Sequence, residues 1–240
     1  MTFNRKIWLD WKTRKPCPSC ESGLLLPPPD KEVLKSETNY SKEINSYGSY
    51  YDSEYIFSAH LKCSNCKETV AVSGQLSKEN YPSDLSIGIQ KSINPVSFYP
   101  PPKIINIPKS CPDSVKALLN NSFSLYWLDI SSCANKIRIS IEVLLNELKV
   151  NKTKQVGSKR KKMNLHERIL LFKITNDKVA DYLLAIKWIG NAGSHYSGIT
   201  KENLLDAYEL LEYSLELLYN DKKAKLNKLS KGINKKKKPI

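Results

Sequence analysis

Between Asn94 and Pro112 the chain carries six prolines: Pro95, Pro100, Pro101, Pro102, Pro108 and Pro112. Proline has no N–H to donate and pushes the residue before it out of the helical region, so no helix is expected to cross this stretch. The chain is therefore expected to divide here. At 240 residues it has room for one ordinary domain and a smaller module. The resulting expectation is an α+β protein in two modules. Residues 1–92, which hold two C-x-x-C pairs, form a small β zinc ribbon with a loop insertion, 93–112 a proline-rich linker, 113–220 an all-α bundle, and 221–240 a lysine-rich tail.

The residue patterns on the two sides of the prolines differ. Before them, Tyr55-Ile56-Phe57-Ser58-Ala59-His60-Leu61-Lys62 and Thr69-Val70-Ala71-Val72 have the β-branched and aromatic density of strands. Asp30 to Ser53, behind Pro27-Pro28-Pro29, reads as a loop insertion. After the prolines the period becomes 3.6. Asp113 is the expected N-cap of a helix through about Asn120, and Ile137, Ile141, Leu144, Leu145 and Leu148 stripe a helix over roughly 127–149. Further helices are expected over about 165–174, 178–189 and 201–220. Leu204, Leu205, Tyr208, Leu211, Leu215 and Leu218 supply the core face of the last.

Four of the six cysteines form two knuckles, Cys17-Pro18-Ser19-Cys20 and Cys63-Ser64-Asn65-Cys66. Each C-x-x-C turn can aim two thiolates at one point, and four thiolates close a tetrahedral structural zinc (Zn2+) site with no open position for catalysis. The spacer, Glu21 to Lys62, is longer than is usual for this pattern, and two buried pairs of free cysteines are the alternative. Cys111 and Cys133 stand alone and read as core or boundary residues. Met1 to Trp11 lacks an apolar signal core, and no window approaches eighteen uninterrupted apolar residues, so a cytosolic protein with no membrane contact is expected.

The formal net charge is +14, from 38 basic and 24 acidic residues. Lys152, Lys154, Lys159, Arg160, Lys161 and Lys162 form one block without an acid, and residues 221–240 hold nine lysines against Asp221. These segments contain 15 of the 38 basic residues and one acid, leaving 23 of each sign elsewhere. Charge gathered in an internal loop and a tail suits a polyanion, DNA or RNA, through a salt-sensitive contact at Lys159, Arg160, Lys161 and Lys162. Keeping the protein in solution is the other use of such runs.

The segment Trp188-Ile189-Gly190-Asn191-Ala192-Gly193-Ser194-His195 is unusual for a helix end. Asn191 and His195 are four apart, so in a continued helix they share a face and can converge on one phosphate or hydroxyl, while Gly190 and Gly193 permit close backbone approach. A glycine-rich C-terminus, in which Asn191 caps and His195 bonds locally, accounts for the same spacing.

Arg138-x-x-x-Glu142-x-Leu144-Leu145, then Leu165-His166-Glu167-Arg168-Ile169, then Ile189-Gly190-Asn191-x-x-x-His195 and a long helix, after a proline-rich entry, resemble the domain of unknown function 4145 family. The resemblance covers about residues 95–220. That family is similar to the HEPN helical bundles, and its members occur alone or attached to restriction subunits and other prokaryotic defence proteins. The resemblance implies a HEPN-like bundle, a homodimer, and a role beside a partner protein of a defence or mobile-element system. Active HEPN ribonucleases leave four to six residues between an arginine and the histidine. Here those positions are Gly190, Ile189 and Trp188. Lys187 lies one residue further back, as a point charge without the guanidinium fork. Arg138 either brings a guanidinium to the site or pairs with Glu142 one turn along.

Three functions follow as expectations. The first is a nucleic-acid-binding accessory or regulatory protein. The second is a metal-independent ribonuclease, with His195 as acid or base, Asn191 beside it, and Arg138 or Lys187 stabilising the phosphorane. The third is a protein-binding adaptor.

Overall fold

The computed structural model of the chain describes residues 3–10, 12–20, 22–46, 52–83, 86–192, 198–219 and 221–236. The chain divides into two compact units, Met1–Ile104 with Phe123–Asp129, and Ile105–Ser122 with Ile130–Ile240. The N-terminal region is rich in β-structure and the C-terminal region is helical.

The first unit runs through α1 (Lys6–Leu9), β1 (Leu25–Leu26), a 3-10 turn at Asp30–Glu32, β2 (Leu34–Glu37), α2 (Asn39–Ser46), and three long strands, β3 (Asp52–Cys63), β4 (Thr69–Ser83) and β5 (Ser86–Tyr99). The sheet is antiparallel in the order β1-β3-β4-β5, and β2 also pairs with β3. Alternation fixes its two faces. Phe57, Ala59 and Cys63 of β3, and Val70, Val72 and Leu76 of β4, are buried, while Ile56, Ser58 and His60 between them are exposed. In the core of this unit Trp127, near the end of the next helix, lies 4.6 Å from Phe98 and 6.4 Å from Trp8 between ring centroids. The Tyr126 hydroxyl donates to the Trp8 carbonyl at 3.3 Å.

The ladder between β4 and β5 shifts register at Ser73/Gly74. A Cβ on Gly74 would stand 2.2 Å from the Asn94 carbonyl oxygen, so only glycine lets the strands meet there. Pro95 sits opposite Gly74 in β5, the edge strand of the sheet, where a missing N–H is tolerated. The proline-rich segment expected as linker is thus strand as far as Tyr99. The expected loop insertion over 30–53 also holds ordered structure, the 3-10 turn, β2 and α2. Leu34-Lys35-Ser36-Glu37 has no apolar alternation, and its strand form comes from pairing with Tyr55 to Ser58.

The second unit contains most of α3 (Asp113–Leu128), then α4 (Ile130–Glu147), the hairpin β6 (Thr153–Val156) and β7 (Lys159–Lys162), α5 (Leu165–Lys173), α6 (Asp177–Ala192), α7 (Lys201–Leu218) and α8 (Asp221–Lys236). Helix α3 runs eight residues past the expected end, because Phe123, Tyr126 and Trp127 extend the buried stripe begun by Val115 and Leu119. The break before α4 falls at Asp129, whose N–H still bonds the Leu125 carbonyl at 2.8 Å. The basic segment expected as a loop is a hairpin, and most of the lysine-rich tail is helix α8.

Helices α4, α5, α6 and α7 bury Ile137, Ile141, Leu144, Leu145, Ile169, Leu183, Leu204 and Leu211. Asn164 and Glu167 form a reciprocal capping box on α5, and Thr200 with Asn203 does the same on α7. Within this core the Tyr208 hydroxyl donates to Ser122 Oγ at 2.8 Å, and the Cys133 thiol lies 3.2 Å from the same hydroxyl. Cys111 and Cys133 are both buried, as core residues.

Two substitutions test this packing. Gly74→Ala is expected to cost about 1–3 kcal/mol through the clash with the Asn94 carbonyl. Tyr208→Phe, which removes one buried donor, is expected to cost about 1 kcal/mol. Urea denaturation measures both; a Gly74→Ala midpoint equal to that of the parent chain would contradict the close strand approach.

Candidate functional site

Local turns build the cysteine cluster. The Cys17 N–H bonds the Gly23 carbonyl at 2.9 Å and Pro16 bridges to Leu24, which closes the first knuckle. The second is the turn between β3 and β4, closed by Cys63 N–H to the Glu68 carbonyl at 2.9 Å, with Lys67 in the left-handed region at φ 65°. Strand β1 joins the two turns: Leu25 pairs with Cys63, and the Ser64 N–H reaches the Leu24 carbonyl at 2.9 Å. The Sγ atoms of Cys17, Cys20, Cys63 and Cys66 all lie within 4.8 Å of one another. Cys17 and Cys66 are 3.7 Å apart, and Cys20 and Cys63 3.5 Å.

Backbone donors already point at the sulfurs. Ser19 N–H and Cys20 N–H lie 3.4 and 3.5 Å from Cys17 Sγ, and Asn65 N–H lies 3.4 Å from Cys63 Sγ. A Cβ on Gly23 would fall 2.2 Å from Cys63 Sγ and 3.1 Å from that of Cys20, so the cluster is walled by a position that admits no side chain. The thiols titrate as a set. A hydrogen bond with Cys66, above all, draws the Cys20 thiol down to about 6. Cys66 is pushed up to about 12: the Glu68 backbone bond pulls the other way, and its neighbours Cys20, Cys63 and Cys17, with burial, outweigh it. One thiolate at this spacing suppresses the next, and a cation relieves that repulsion. His60, on β3, is not part of the cluster.

The basic block takes a definite shape. Thr153 pairs with Lys162, Lys154 with Lys161, Gln155 with Arg160 and Val156 with Lys159, around a two-residue turn in which Gly157 has φ 61°. Directly opposed residues share a face, so one face of the ribbon carries Lys154, Lys159 and Lys161, from both strands, and the other carries Arg160 and Lys162. Every residue of both strands is exposed. The ribbon is anchored at its base by Met163 N–H to the Lys152 carbonyl at 2.9 Å, and on one face by Lys154 Nζ to Glu167 Oε1. The second oxygen of Glu167 accepts the Asn164 N–H of the capping box. The Lys154 hydrogen bond, first, and the Asn164 backbone bond hold the Glu167 carboxyl below its ordinary range.

The residues expected around the Gly190-Asn191 motif are only partly brought together. Gly190 packs on α4, where an added Cβ would stand 3.2 Å from Arg138 Cβ and 3.4 Å from the Ala134 carbonyl oxygen. The guanidinium of Arg138 turns to Glu142, at 2.9 Å. Lys187 is buried, with Nζ 3.4 Å from the centroid of the Trp188 ring. Asn191 is half-buried, and His195 lies outside the described residues. The sequence reading passed over Arg168, a buried charge on α5. Its position in the motif Leu165-His166-Glu167-Arg168-Ile169, on the helix face shared by Leu165 and Ile169, was the available signal.

No helix among the described residues is long and apolar enough to cross a membrane. Residues 120–236 match the model of a domain of unknown function, DUF4145, the family whose motifs the helical half resembles. Residues 2–100 match the model of a second domain of unknown function, DUF8608. No curated protein and no solved structure matches the chain.

Proposed function

We propose that the chain is a nucleic-acid-binding accessory or regulatory protein with a zinc ribbon at its N-terminal end, and that the β6–β7 ribbon is its phosphate contact. The observation that carries this reading is the hairpin itself. Lys154, Lys159, Arg160, Lys161 and Lys162 stand on an exposed two-stranded element, with Glu167 as the carboxylate bound to it. A rigid ribbon presents its charges at fixed spacing, which a polyanion meets at a smaller entropic cost than it would a flexible loop. The setting in a prokaryotic defence or mobile-element system, beside a partner protein, rests on the family resemblance, as do the homodimer and the HEPN-like character of the bundle. A ribonuclease is less well supported, because Glu142 engages Arg138 and no arginine stands with four to six residues between it and His195.

Zinc fits the cysteine cluster. Tetrahedral zinc with Zn–S bonds of about 2.3 Å requires sulfurs about 3.8 Å apart, close to the distances of 3.7 and 3.5 Å between the opposed pairs. Cys17, Cys20, Cys63 and Cys66 would hold the ion, which would cross-link the two turns and supply no open position for chemistry.

Two measurements test the proposal. Protein purified without chelator is expected to contain about one zinc per chain, and Gly23→Val, which forces a side chain against Cys63 Sγ, is expected to lose it. Zinc-free parent protein would refute the metal assignment. Oligonucleotide affinity is expected to fall with salt, with a slope on the order of −0.7 to −0.9 per phosphate contacted. Replacing Lys159, Arg160 and Lys161 with glutamine should flatten that slope by roughly 2–3. An unchanged slope and affinity at low salt would remove the hairpin from the interface.

A further inference from the structure

A second cationic feature of the helical unit lies between α4, the base of the hairpin and α5. A cleft of about 510 Å3 is lined there by Arg138, Glu142, Asn146, Lys152, Lys162 and Arg168, among others. Four of these are cations, and Glu142, the one acid lining the cleft, is already joined to Arg138 at 2.9 Å. The lining therefore keeps a formal excess of three positive charges.

Arg168 is the built part of this site. Its residue is only 7% exposed. One terminal nitrogen donates to Asn146 Oδ1 at 2.9 Å and to the Val150 carbonyl at 3.2 Å; the other reaches the Glu142 carbonyl at 3.4 Å. These bonds lock the guanidinium plane. They leave Nε buried without a hydrogen-bond partner among the described residues. A buried cation is ordinarily matched at each donor, and Glu142, the acid whose charge acts on Arg168, is already paired with Arg138. The hairpin register brings Lys152 and Lys162 together at its base, and both line the hollow beside Arg168. A tetrahedral oxyanion suits this lining, since it can accept from several ammonium groups at once beside a fixed guanidinium charge.

We propose that this cleft binds a phosphate group, with Arg168 as the fixed donor, Lys152 and Lys162 closing on the anion, and Arg138 held at the side by Glu142. The phosphate belongs either to a nucleic acid or to a free nucleotide. The first source rests on the reading of the hairpin given above, and the second does not.

The test uses the full chain and inorganic phosphate as the probe, titrated calorimetrically at constant ionic strength against chloride. One saturable phosphate per chain is expected. Arg168→Lys removes the fork directly but also its bonds to Asn146 and Val150, so the deciding variant is Lys152→Gln with Lys162→Gln. That pair is exposed and holds no helix, and its phosphate affinity is expected to fall at least about tenfold with circular dichroism unchanged, the scale of a lost charge-assisted contact. The hairpin variant at Lys159, Arg160 and Lys161 is expected to bind phosphate as the parent does, which separates failure of the cleft from failure of the ribbon. Competition then identifies the source. Displacement of phosphate by a 5′-phosphorylated oligonucleotide and not by its 5′-hydroxyl form points to a nucleic-acid end, equal displacement by both to backbone phosphate, and displacement by a mononucleotide alone to a free nucleotide. Absence of saturable phosphate binding, or binding unchanged in the Lys152 and Lys162 variant, would overturn the proposal.

Discussion

Four sulfur atoms within 4.8 Å of one another cannot all become thiolates without a cation between them, and the surroundings of β1 are organised around that constraint. A strand of two residues contributes little pairing energy by itself. Leu25 and Leu26 are held because the turns on either side of them carry the cysteines, and because Gly23 leaves the space the sulfurs occupy. The long strands need no such help. Along β3 and β4 the sheet follows from alternation, with Phe57, Ala59, Val70, Val72 and Leu76 on one face and an aromatic cluster of Trp8, Phe98 and Trp127 in the same core.

In the helical unit the corresponding constraint is charge placed where it must be matched. Arg168 ties the end of α4 to α5 through Asn146 and the Val150 carbonyl, so one side chain fixes the loop that leads into the hairpin. The hairpin then lifts the remaining cations away from the core. The helix stripes on α4 and α7 exclude such charge from the interior, and Ser122, Cys133 and Tyr208 satisfy one another within it.

What could be read from the chain was local. The cysteine knuckles follow from a spacing of three, and the helices α4, α5 and α7 from apolar periodicity; their cores lie at the expected positions Ile137, Ile141, Leu144, Leu204 and Leu211. What escaped depends on distant partners. Strand β2 is polar and exposed, and only its register against Tyr55 to Ser58 makes it a strand. The basic block reads as loop because lysine has no strand preference, although Gly157-Ser158 at its centre is turn chemistry of the kind that opens a two-residue hairpin. Lysine favours helix well enough for α8 to form, but the charge run concealed the spacing of Leu226, Leu229 and Ile233. Arg168 was visible as a letter in a motif, while its burial was not, since that required α4, α5 and the hairpin base to be placed together.

Glu167 joins two of these features. One oxygen closes the first turn of α5 and the other receives Lys154 from the ribbon. The ribbon therefore carries its own built-in competitor: any anion that draws Lys154 away does so against a carboxylate already aligned by the helix cap. Such a counter-ion acts as a threshold. Dilute monovalent ions gain too little from one ammonium to displace it, whereas a ligand with several linked charges engages Lys159, Arg160 and Lys161 first and reaches Lys154 at high local concentration. On the proposal that the ribbon contacts phosphates, it would discriminate by the number of connected charges, and with Lys154 drawn away the start of α5 would keep Asn164 as its cap while the freed oxygen of Glu167 faced water.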